Sequence, residues 1–347
     1  MSIVDVAKLA KVSTATVSRV MNNHAVVDAQ TGRRVRAAMK ELGYVPRAIR
    51  PGPKARLPRL SERPSASTGT LGLLLAGRSR KLLRHPQVAR LLEAMTAAAQ
   101  TAGRWLTIIE MPDLATAPRI LRDRGVDGLI VFGAGTDPAW FRALLPLPLV
   151  ACGGEPQDQP LADMVCTNNP AISHLAADYL RRRGCRQVAF LNHNPSHGAL
   201  ATRGRRFQEY LHGSGLKVMM VESPCPEPVS GDELWTAKRV RADMEPLLDR
   251  ALAAKTRPDG YFLPTDQQAA VVHHLLRERG FRPGVDVPLI SCGNDAPWLA
   301  TMNPRTATID PGVEMEGREA VRRLLARIDN PFDDPVVTLT TPRLIEE

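Results

Sequence analysis

A short predicted helix over residues 14–22 presents one face of small polar side chains and a single guanidinium. Its other face carries Val17, Val20 and Met21 at helical spacing. Small hydrogen-bonding groups suit the major groove of DNA, where bulk is excluded and base edges carry the sequence. The pattern therefore predicts a DNA-reading helix. The candidate DNA-binding residues are Ser13, Thr14, Ala15, Thr16, Ser18, Arg19, Asn22 and Tyr44.

These residue types divide by the contact that each can make. Arg19 and Asn22 are expected to reach base edges or adjacent phosphates. Thr14 and Ala15 are expected to set base preference. The hydroxyls are expected to fix the helix against the phosphate backbone, and they belong to Ser13, Thr16 and Ser18.

Two further helices must hold this segment in place. The first has apolar residues at Ile3, Val6, Ala7 and Ala10, and Ser2 can cap it. Ser13 can cap the second helix. A third helix follows Asp28 and ends before Gly43, with a predicted apolar side of Val35, Ala38, Met39 and Leu42. Together they predict a helix-turn-helix headpiece over residues 1–46, although other small three-helix domains share this periodicity.

The same segment resembles the headpiece of the lactose-repressor (LacI/GalR) family. The resemblance is dense and ungapped over about 45 residues. It implies a helix-turn-helix transcription regulator, most often a repressor, that binds operator DNA. The residues that carry it are Asp5-Val6-Ala7, Val12-Ser13, residues 16–22, Arg33-Arg34-Val35 and residues 41–46.

The net charge of +10 is concentrated in the N-terminal part of the chain. Residues 1–63 hold 13 Lys and Arg against 4 Asp and Glu, whereas the remaining chain holds 33 against 32. A basic head on a neutral body indicates that the head alone contacts phosphates. Because one headpiece of this size makes few contacts, a homodimer on a pseudo-palindromic operator is expected.

The segment that follows the headpiece departs from the family pattern. Residues 47–69 are rich in proline and arginine, and Pro51-Gly52-Pro53 interrupts any helix longer than one turn. The resemblance implies a hinge helix here that packs against its partner and enters the minor groove. The composition instead favours an extended tether, and an ordered hinge remains the alternative.

From Thr70 onward, apolar runs of four to six residues alternate with amphipathic helices. This alternation predicts doubly wound parallel sheets, and the number of strands indicates two lobes. Body motifs at residues 128–130, 168–169, 187–191 and 304–320 also resemble the family. The resemblance implies a two-lobed periplasmic-binding-protein-like fold over residues 70–347. Lobe 1 is expected at about 70–165 and 296–329, and lobe 2 at about 166–295 and 330–347.

In such a fold a small molecule binds between the lobes, at the carboxyl ends of the strands. Arg203 lies four residues before Phe207, where the resemblance implies an arginine that clamps the effector, and a guanidinium can fork two hydrogen bonds. Thr265-Asp266 matches the family's Asn-Asp pair, although Asp266 can equally cap the next helix. The candidate effector-binding residues are Arg203, Thr265, Asp266, Asn294 and Trp298.

One acidic position of the sugar-responsive members is missing from this cleft. Gly293 stands where the first of two paired aspartates is common, and Gly153 stands where a polar residue is common. Loss of an acceptor for sugar hydroxyls weakens the prediction of a sugar effector. An anionic ligand, a nucleoside-like ligand and a vestigial cleft all stay open. Trp298 can stack on a ring or simply pack.

The sequence gives less support to other classes of protein. The sequence contains no G-x-S-x-G elbow, P-loop, H-E-x-x-H or G-x-G-x-x-G motif, so neither catalysis nor a cofactor is expected. The five cysteines form no C-x-x-C pair, and several lie in apolar runs, so no metal or disulfide is expected. No membrane span or signal peptide is apparent, which favours the cytoplasm. The chain lacks a terminal leucine heptad, so a tetramer is not expected.

The sequence therefore predicts a DNA-binding regulator, expected to be a repressor, whose DNA affinity is modulated by a small molecule in the cleft. The first alternative is a regulator whose DNA binding is independent of any effector. The second is a small-molecule-binding α/β protein or an enzyme whose head serves only oligomerisation. The concentration of basic charge in the head argues against this second alternative.

Overall fold

The computed structural model describes residues 3–21, 29–42, 67–111, 121, 125–133, 144, 147–224 and 236–346. The chain divides into two compact units, Met1–Arg56 and Leu57–Glu347. The predicted linker at residues 47–69 lies almost wholly outside the described residues.

The first unit contains three helices: α1 (Ile3–Leu9), α2 (Thr14–Met21) and α3 (Ala29–Glu41). The turn after α1 closes with hydrogen bonds from Val12 N to Ala7 O at 3.0 Å and from Lys11 N to Lys8 O at 3.2 Å. Lys11 takes the left-handed conformation in this turn, with φ of 52°. This pair of bonds forms a Schellman motif, which ends one helix and turns the chain toward the next.

The core of the first unit is formed by the apolar residues that the helical spacing predicts. Val6, Val17 and Val35, one from each helix, are fully buried in a single cluster. The side chains of Ile3 and Met21 are not described. Each helix contributes only a few apolar groups, so the unit depends on all three helices packing together. The other buried members are Ala7, Ala10, Val20 and Ala38.

The first lobe of the second unit is a six-stranded parallel sheet in the order β11-β5-β4-β3-β1-β2. Helices α4 and α10 pack against it through a shared apolar cluster. The strands are β1 (Thr70–Ala76), β2 (Trp105–Met111), β3 (Gly128–Phe132), β4 (Leu149–Cys152), β5 (Asp163–Cys166) and β11 (Val337–Leu339). The helices are α4 (Pro86–Thr101) and α10 (Val313–Asp329), and a 3-10 turn covers Arg80–Arg84.

The second lobe is also a six-stranded sheet, in the order β12-β10-β9-β8-β6-β7. Its pairs are parallel except for β10 with β12. The strands are β6 (Gln187–Asn192), β7 (Lys217–Glu222), β8 (Gly260–Phe262), β9 (Leu289–Cys292), β10 (Ala307–Asp310) and β12 (Arg343–Ile345). The helices are α5 (Asn169–Arg182), α6 (Gly198–Leu211), α7 (Ala237–Leu252), α8 (Asp266–Glu278) and α9 (Ala296–Leu299).

The sheets divide the C-terminal part of the chain differently from the predicted lobe bounds. β10 was expected in lobe 1 but lies in the sheet of lobe 2, and β11 was expected in lobe 2 but lies in the sheet of lobe 1. The reason is hydrogen bonding: β10 pairs with β9 and β11 pairs with β5. Both strands are short, so the pattern of apolar residues does not reveal their partners.

The chain crosses between the lobes three times, and the three crossing segments meet at Thr340. The backbone N–H of Thr340 donates to Cys166 O at 3.0 Å, and its hydroxyl donates to Pro311 O at 2.8 Å. The same hydroxyl accepts from Asn168 N at 3.3 Å. Thr340 is 2% exposed. One buried side chain thus connects all three crossings.

Gly204 leaves room for side chains of the lobe-2 sheet to pack directly against helix α6. A Cβ at this position would lie 2.5 Å from Cε1 of Phe190 and 3.0 Å from Cε of Met220. Phe190 is fully buried and its ring stands 5.3 Å from that of Phe262 and 6.3 Å from that of Phe207. Glycine therefore sets the distance between this helix and its sheet.

Gly204→Ala should destabilise the protein by about 1–3 kcal/mol, because the added methyl overpacks a filled site. Gly198→Ala in the same helix is the matched control, since its Cβ would meet only Cγ of Glu155, at 3.8 Å. Helix propensity predicts that the control is neutral or gains up to about 1 kcal/mol. Urea unfolding at equilibrium measures both. Equal stability of the two variants would show that the contact at Gly204 does not constrain α6.

Candidate functional sites

Helix α2 of the first unit holds the predicted DNA-reading residues. Ser13 Oγ accepts from Thr16 N at 3.1 Å, which confirms that Ser13 caps this helix. Ser13 and Thr14 are exposed and Thr16 is half-buried. The side chains of Ala15, Ser18 and Arg19 are not described, and Asn22 and Tyr44 lie outside the described residues.

The first unit also exposes basic side chains on its other two helices. Lys8 and Lys11 are exposed at the end of α1, and Arg33, Arg34 and Arg36 are exposed on α3. Lys40 is exposed in the last turn of α3. Such a surface attracts phosphate by charge and supplies affinity that does not depend on base sequence.

In the second unit, Arg203 is buried between α5 and β8. It is 5% exposed. Its Nε donates to Asn169 Oδ1 at 2.9 Å, and its Nη1 donates to Pro264 O at 2.6 Å. Asn169 in turn donates from Nδ2 to Glu155 Oε1 of lobe 1 at 2.8 Å. The guanidinium is thus fixed at the carboxyl end of β8, beside a contact that crosses the cleft.

Thr265 and Asp266 follow β8 and are both buried. Thr265 Oγ1 accepts from Gln268 N at 3.2 Å and caps α8. Asp266 accepts from Ser291 Oγ and Thr308 Oγ1, each at 2.6 Å, and from Asp295 N at 2.7 Å. Asp266 therefore connects the ends of β9 and β10 through hydrogen bonds and does not lie at an open surface.

The segment after β9 contains Gly293, Asn294 and Asp295. Asn294 takes the left-handed conformation with φ of 52°, and its Nδ2 lies 3.4 Å from Asp310 Oδ2. A Cβ at Gly293 would lie 2.8 Å from Asp266 Oδ2 and 2.9 Å from Asp295 Oδ2. Two carboxylates already fill the space into which a side chain at Gly293 would project, so glycine is required there.

Four of the predicted effector residues are connected by short-range contacts. Arg203, Thr265 and Asp266 lie together around the end of β8. Asn294 is linked to Asp266 through Thr308, whose Oγ1 accepts from Asn294 N at 3.3 Å and donates to Asp266 Oδ1 at 2.6 Å. Trp298 is half-buried in the short helix α9. Its backbone N–H donates to Asp295 O at 3.0 Å.

Sequence reasoning missed two lobe-1 residues that line this region. Glu316 of α10 is buried and accepts from Thr167 Oγ1 at 2.9 Å, at a crossing segment. Arg90 of α4 donates from Nη1 to the carbonyls of Gly293 and Asn294 in lobe 2, at 2.8 and 3.0 Å. Both occupy helices with an ordinary amphipathic pattern, so only the fold reveals their partners.

Burial changes the pKa of several groups in this region. Loss of hydration raises the pKa of Glu316 to about 7, against the opposing hydrogen bonds from Thr167 and Cys152. Burial, with smaller effects from nearby Arg203, Arg78 and His85, lowers the pKa of His197 to about 4. His197 is therefore neutral at physiological pH, and burial favours the protonated form of Glu316.

No group of three or more His, Cys, Asp or Glu residues that could hold a metal ion occurs among the described residues. In the same part of the chain, no helix is long and apolar enough to cross a membrane. Cys152, Cys166, Cys185 and Cys292 are buried as free thiols. The burial of Cys152 and Cys292, which end β4 and β9, is that expected for cysteines in apolar runs.

Three family matches cover most of the sequence. Residues 2–47 match the family described as bacterial regulatory proteins, lacI family. Residues 68–239 match the periplasmic binding proteins and sugar binding domain of the LacI family. Residues 177–346 match the periplasmic binding protein-like domain. The predicted combination of a helix-turn-helix unit and a two-lobed α/β domain is thereby confirmed.

Similar proteins of known name agree with these matches. The HTH-type transcriptional repressor PurR of Pectobacterium carotovorum subsp. carotovorum is 28% identical over 357 residues, covering 99% of this chain and 95% of the relative. PurR of Proteus mirabilis is 27% identical over 360 residues, with the same coverage.

Solved structures agree in fold. The lac repressor dimer bound to operator and the anti-inducer ONPF aligns with a TM-score of 0.66 and 22% identity, covering 100% of this chain and 98% of that one. The transcriptional regulator CelR in complex with cellobiose aligns with a TM-score of 0.63 and 23% identity over the same shares. The chain belongs to the lacI family of bacterial regulatory proteins, DNA-binding transcription regulators with a periplasmic-binding-protein-like domain.

Proposed function

We propose that this regulator is a cytoplasmic repressor that binds a pseudo-palindromic operator as a homodimer. Helix α2 is the reading element, and it is held by its Ser13 cap and by the buried cluster around Val6, Val17 and Val35. The observation that carries the proposal is this capped helix on a basic three-helix unit in a chain of the lacI family. The relatives named as transcriptional repressors support repression as the direction of control.

A small molecule between the lobes is the proposed effector. Arg203 supports this role because it is fixed at the cleft by two acceptors, and no partner of its third guanidinium nitrogen is found among the described residues. A fixed guanidinium can donate to a hydroxyl, a carboxylate or a phosphate. The structures named with cellobiose and with ONPF support a ligand-binding role for this fold.

Arg19→Ala should abolish the preference for operator sequence while the protein still folds and dimerises. A base contact from arginine contributes about 1–3 kcal/mol of discrimination, and the dimer loses two such contacts, so affinity for the best duplex should fall by roughly 30-fold or more. Duplexes selected from a random library by the wild-type protein provide the operator, and titrations at several salt concentrations measure binding. Retained selectivity in this variant would refute the assignment of the reading helix.

Arg33→Ala is the matched control, because Arg33 is exposed on α3 rather than α2. Removing a charge that attracts phosphate should weaken binding to every duplex equally and reduce the dependence on salt. Absence of salt-dependent binding to any selected duplex would instead favour the alternative in which the head serves only oligomerisation.

Arg203→Lys should remove ligand stabilisation, because an ammonium cannot serve both acceptors and a ligand in the same planar geometry. A thermal-shift panel of sugars, nucleosides and organic acids tests this. An effector at 100 times its Kd stabilises the wild type by about 2.7 kcal/mol. Arg206→Ala, an exposed position on the same helix that pairs with Glu209, should keep the full shift.

Each outcome of this panel discriminates between hypotheses. A compound that stabilises Arg203→Lys as well as the wild type would place the ligand away from Arg203. If no compound stabilises the wild type while operator binding is intact, regulation independent of an effector is favoured over ligand control.

A further inference from the structure

Arg90 of helix α4 joins the two lobes through several hydrogen bonds. Besides its bonds to the carbonyls of Gly293 and Asn294, its Nη1 lies 3.5 Å from Asp295 Oδ1 in lobe 2. Its Nε and Nη2 donate to the carboxylate of Glu314 in its own lobe, at 2.7 and 3.1 Å. A bidentate ion pair with Glu314 anchors the guanidinium in lobe 1, and Nη1 donates to lobe 2.

Gln87, one turn earlier on α4, reaches the same lobe-2 carboxyl group. Its Nε2 donates to Asp295 Oδ2 at 3.3 Å. A Cβ at Gly293 would lie 2.8 Å from this Nε2, so the amide packs directly over the glycine backbone. We call Gln87, Arg90 and Asp295 the interlobe clasp.

The carboxyl group of Asp295 that takes part in these contacts is buried beside a second acidic side chain. Its side chain is 2% exposed and lies beside buried Asp266, whose Oδ2 accepts from the backbone N–H of Asp295. Burial and the neighbouring charge of Asp266 outweigh Arg90 and Gln87, and they raise the pKa of Asp295 to about 7. The strength of the interlobe clasp therefore depends on whether Asp295 is protonated.

The other charged or titratable groups around the clasp come from five elements. Asp266 faces it from α8, and the thiol of Cys292 faces it from β9. Asp310 of β10 lies 3.7 Å from Arg90 Nη2, and Arg343 of β12 lies 3.4 Å from Asp310. Glu314 of α10 holds Arg90 from lobe 1. Arg90 is thus shared among three carboxylates, which limits how far it can offset the charge of Asp295.

We propose that Arg90 and Gln87 clasp the two lobes together through Asp295, and that closing this clasp takes up a proton. The inference concerns the motion of the lobes and does not depend on the proposed DNA or effector binding. Arg90 acts as a positioning residue, because it anchors α4 against the segment that follows β9.

The direction of the pH effect follows from burial. When the lobes separate, water returns to Asp295 and its pKa falls toward its ordinary value, because lost hydration is the largest cause of the shift. A carboxyl group whose pKa is raised in the closed form favours closure while it is protonated. Closure is therefore favoured at acidic pH, weakens as the pH rises from about 4, and loses this contribution above about pH 7.

Hydrogen exchange of the full-length chain, corrected for intrinsic exchange rates, tests the clasp between pH 5.5 and 8.5. The two reporters are residues 86–95 in lobe 1 and residues 293–299 in lobe 2. In the wild type, protection of both should fall together by roughly thirtyfold as the pH rises, since about 1.5 pH units of this range lie below pH 7 and each unit corresponds to a tenfold change. Asp295→Asn should give high protection without this pH dependence, because an amide does not ionise. Its oxygen can accept from Arg90, and its Nδ2 can donate to the Gln87 side-chain oxygen once that amide turns over.

Arg90→Gln should lower protection of both reporters at every pH, and Arg90→Lys should restore part of it. Arg104→Gln is the matched control, because Arg104 has a similar exposure (27% against 22%) and pairs at 2.9 Å with Asp127 inside lobe 1. It should leave both reporters unchanged. If Arg90→Gln fails to fold, the comparison of Asp295→Asn with the wild type decides alone.

Two results would overturn the proposal. The first is a pH dependence of the reporters that persists in Asp295→Asn. The second is a response confined to one lobe, which would make the contacts of Arg90 local packing.

Discussion

The hydroxyl group of Thr340 is the interaction on which the two-lobed body depends. It lies where residues 167–168, 311–312 and 340–342 pass between the sheets, and it bonds to two of these segments while its own backbone bonds to the end of β5. Three parallel connections without such a link could shift independently. Joined at one buried point, they restrict relative motion of the lobes to a pivot, so that contacts elsewhere in the cleft decide how far it closes.

Buried acidic groups of the cleft receive hydrogen bonds from the protein itself. Asp266 accepts from Ser291, Thr308 and the backbone of Asp295, which offsets part of the cost of burying its carboxylate. Glu316 receives Thr167 from a crossing segment. Buried carboxyl groups that are held by lobe crossings and strand ends respond to any change in the water that reaches them. The cleft is therefore sensitive to lobe position even before a ligand is considered.

The sequence alone was sufficient to predict the structural features that follow a repeating pattern along the chain. Helical spacing predicted the buried Val6, Val17 and Val35, and the alternation of strands and helices predicted the doubly wound lobes. It was insufficient where a residue's partner lies far along the chain. Arg90 meets Gly293 across 203 residues, and β11 pairs with β5 although it contains only three residues. No local period encodes either contact.

Gly293 illustrates how a missing residue can mislead. Taken alone, its glycine suggests that the cleft has lost a carboxylate. In the fold, Asp295 supplies a carboxylate to the same space, where it accepts from Gln87 of the opposite lobe. An acidic side chain at Gly293 would collide with Asp266, Asp295 and Gln87 together. Asp295, two positions further along the chain, therefore places a carboxylate in this space, and its side-chain partner Gln87 belongs to a helix of the other lobe.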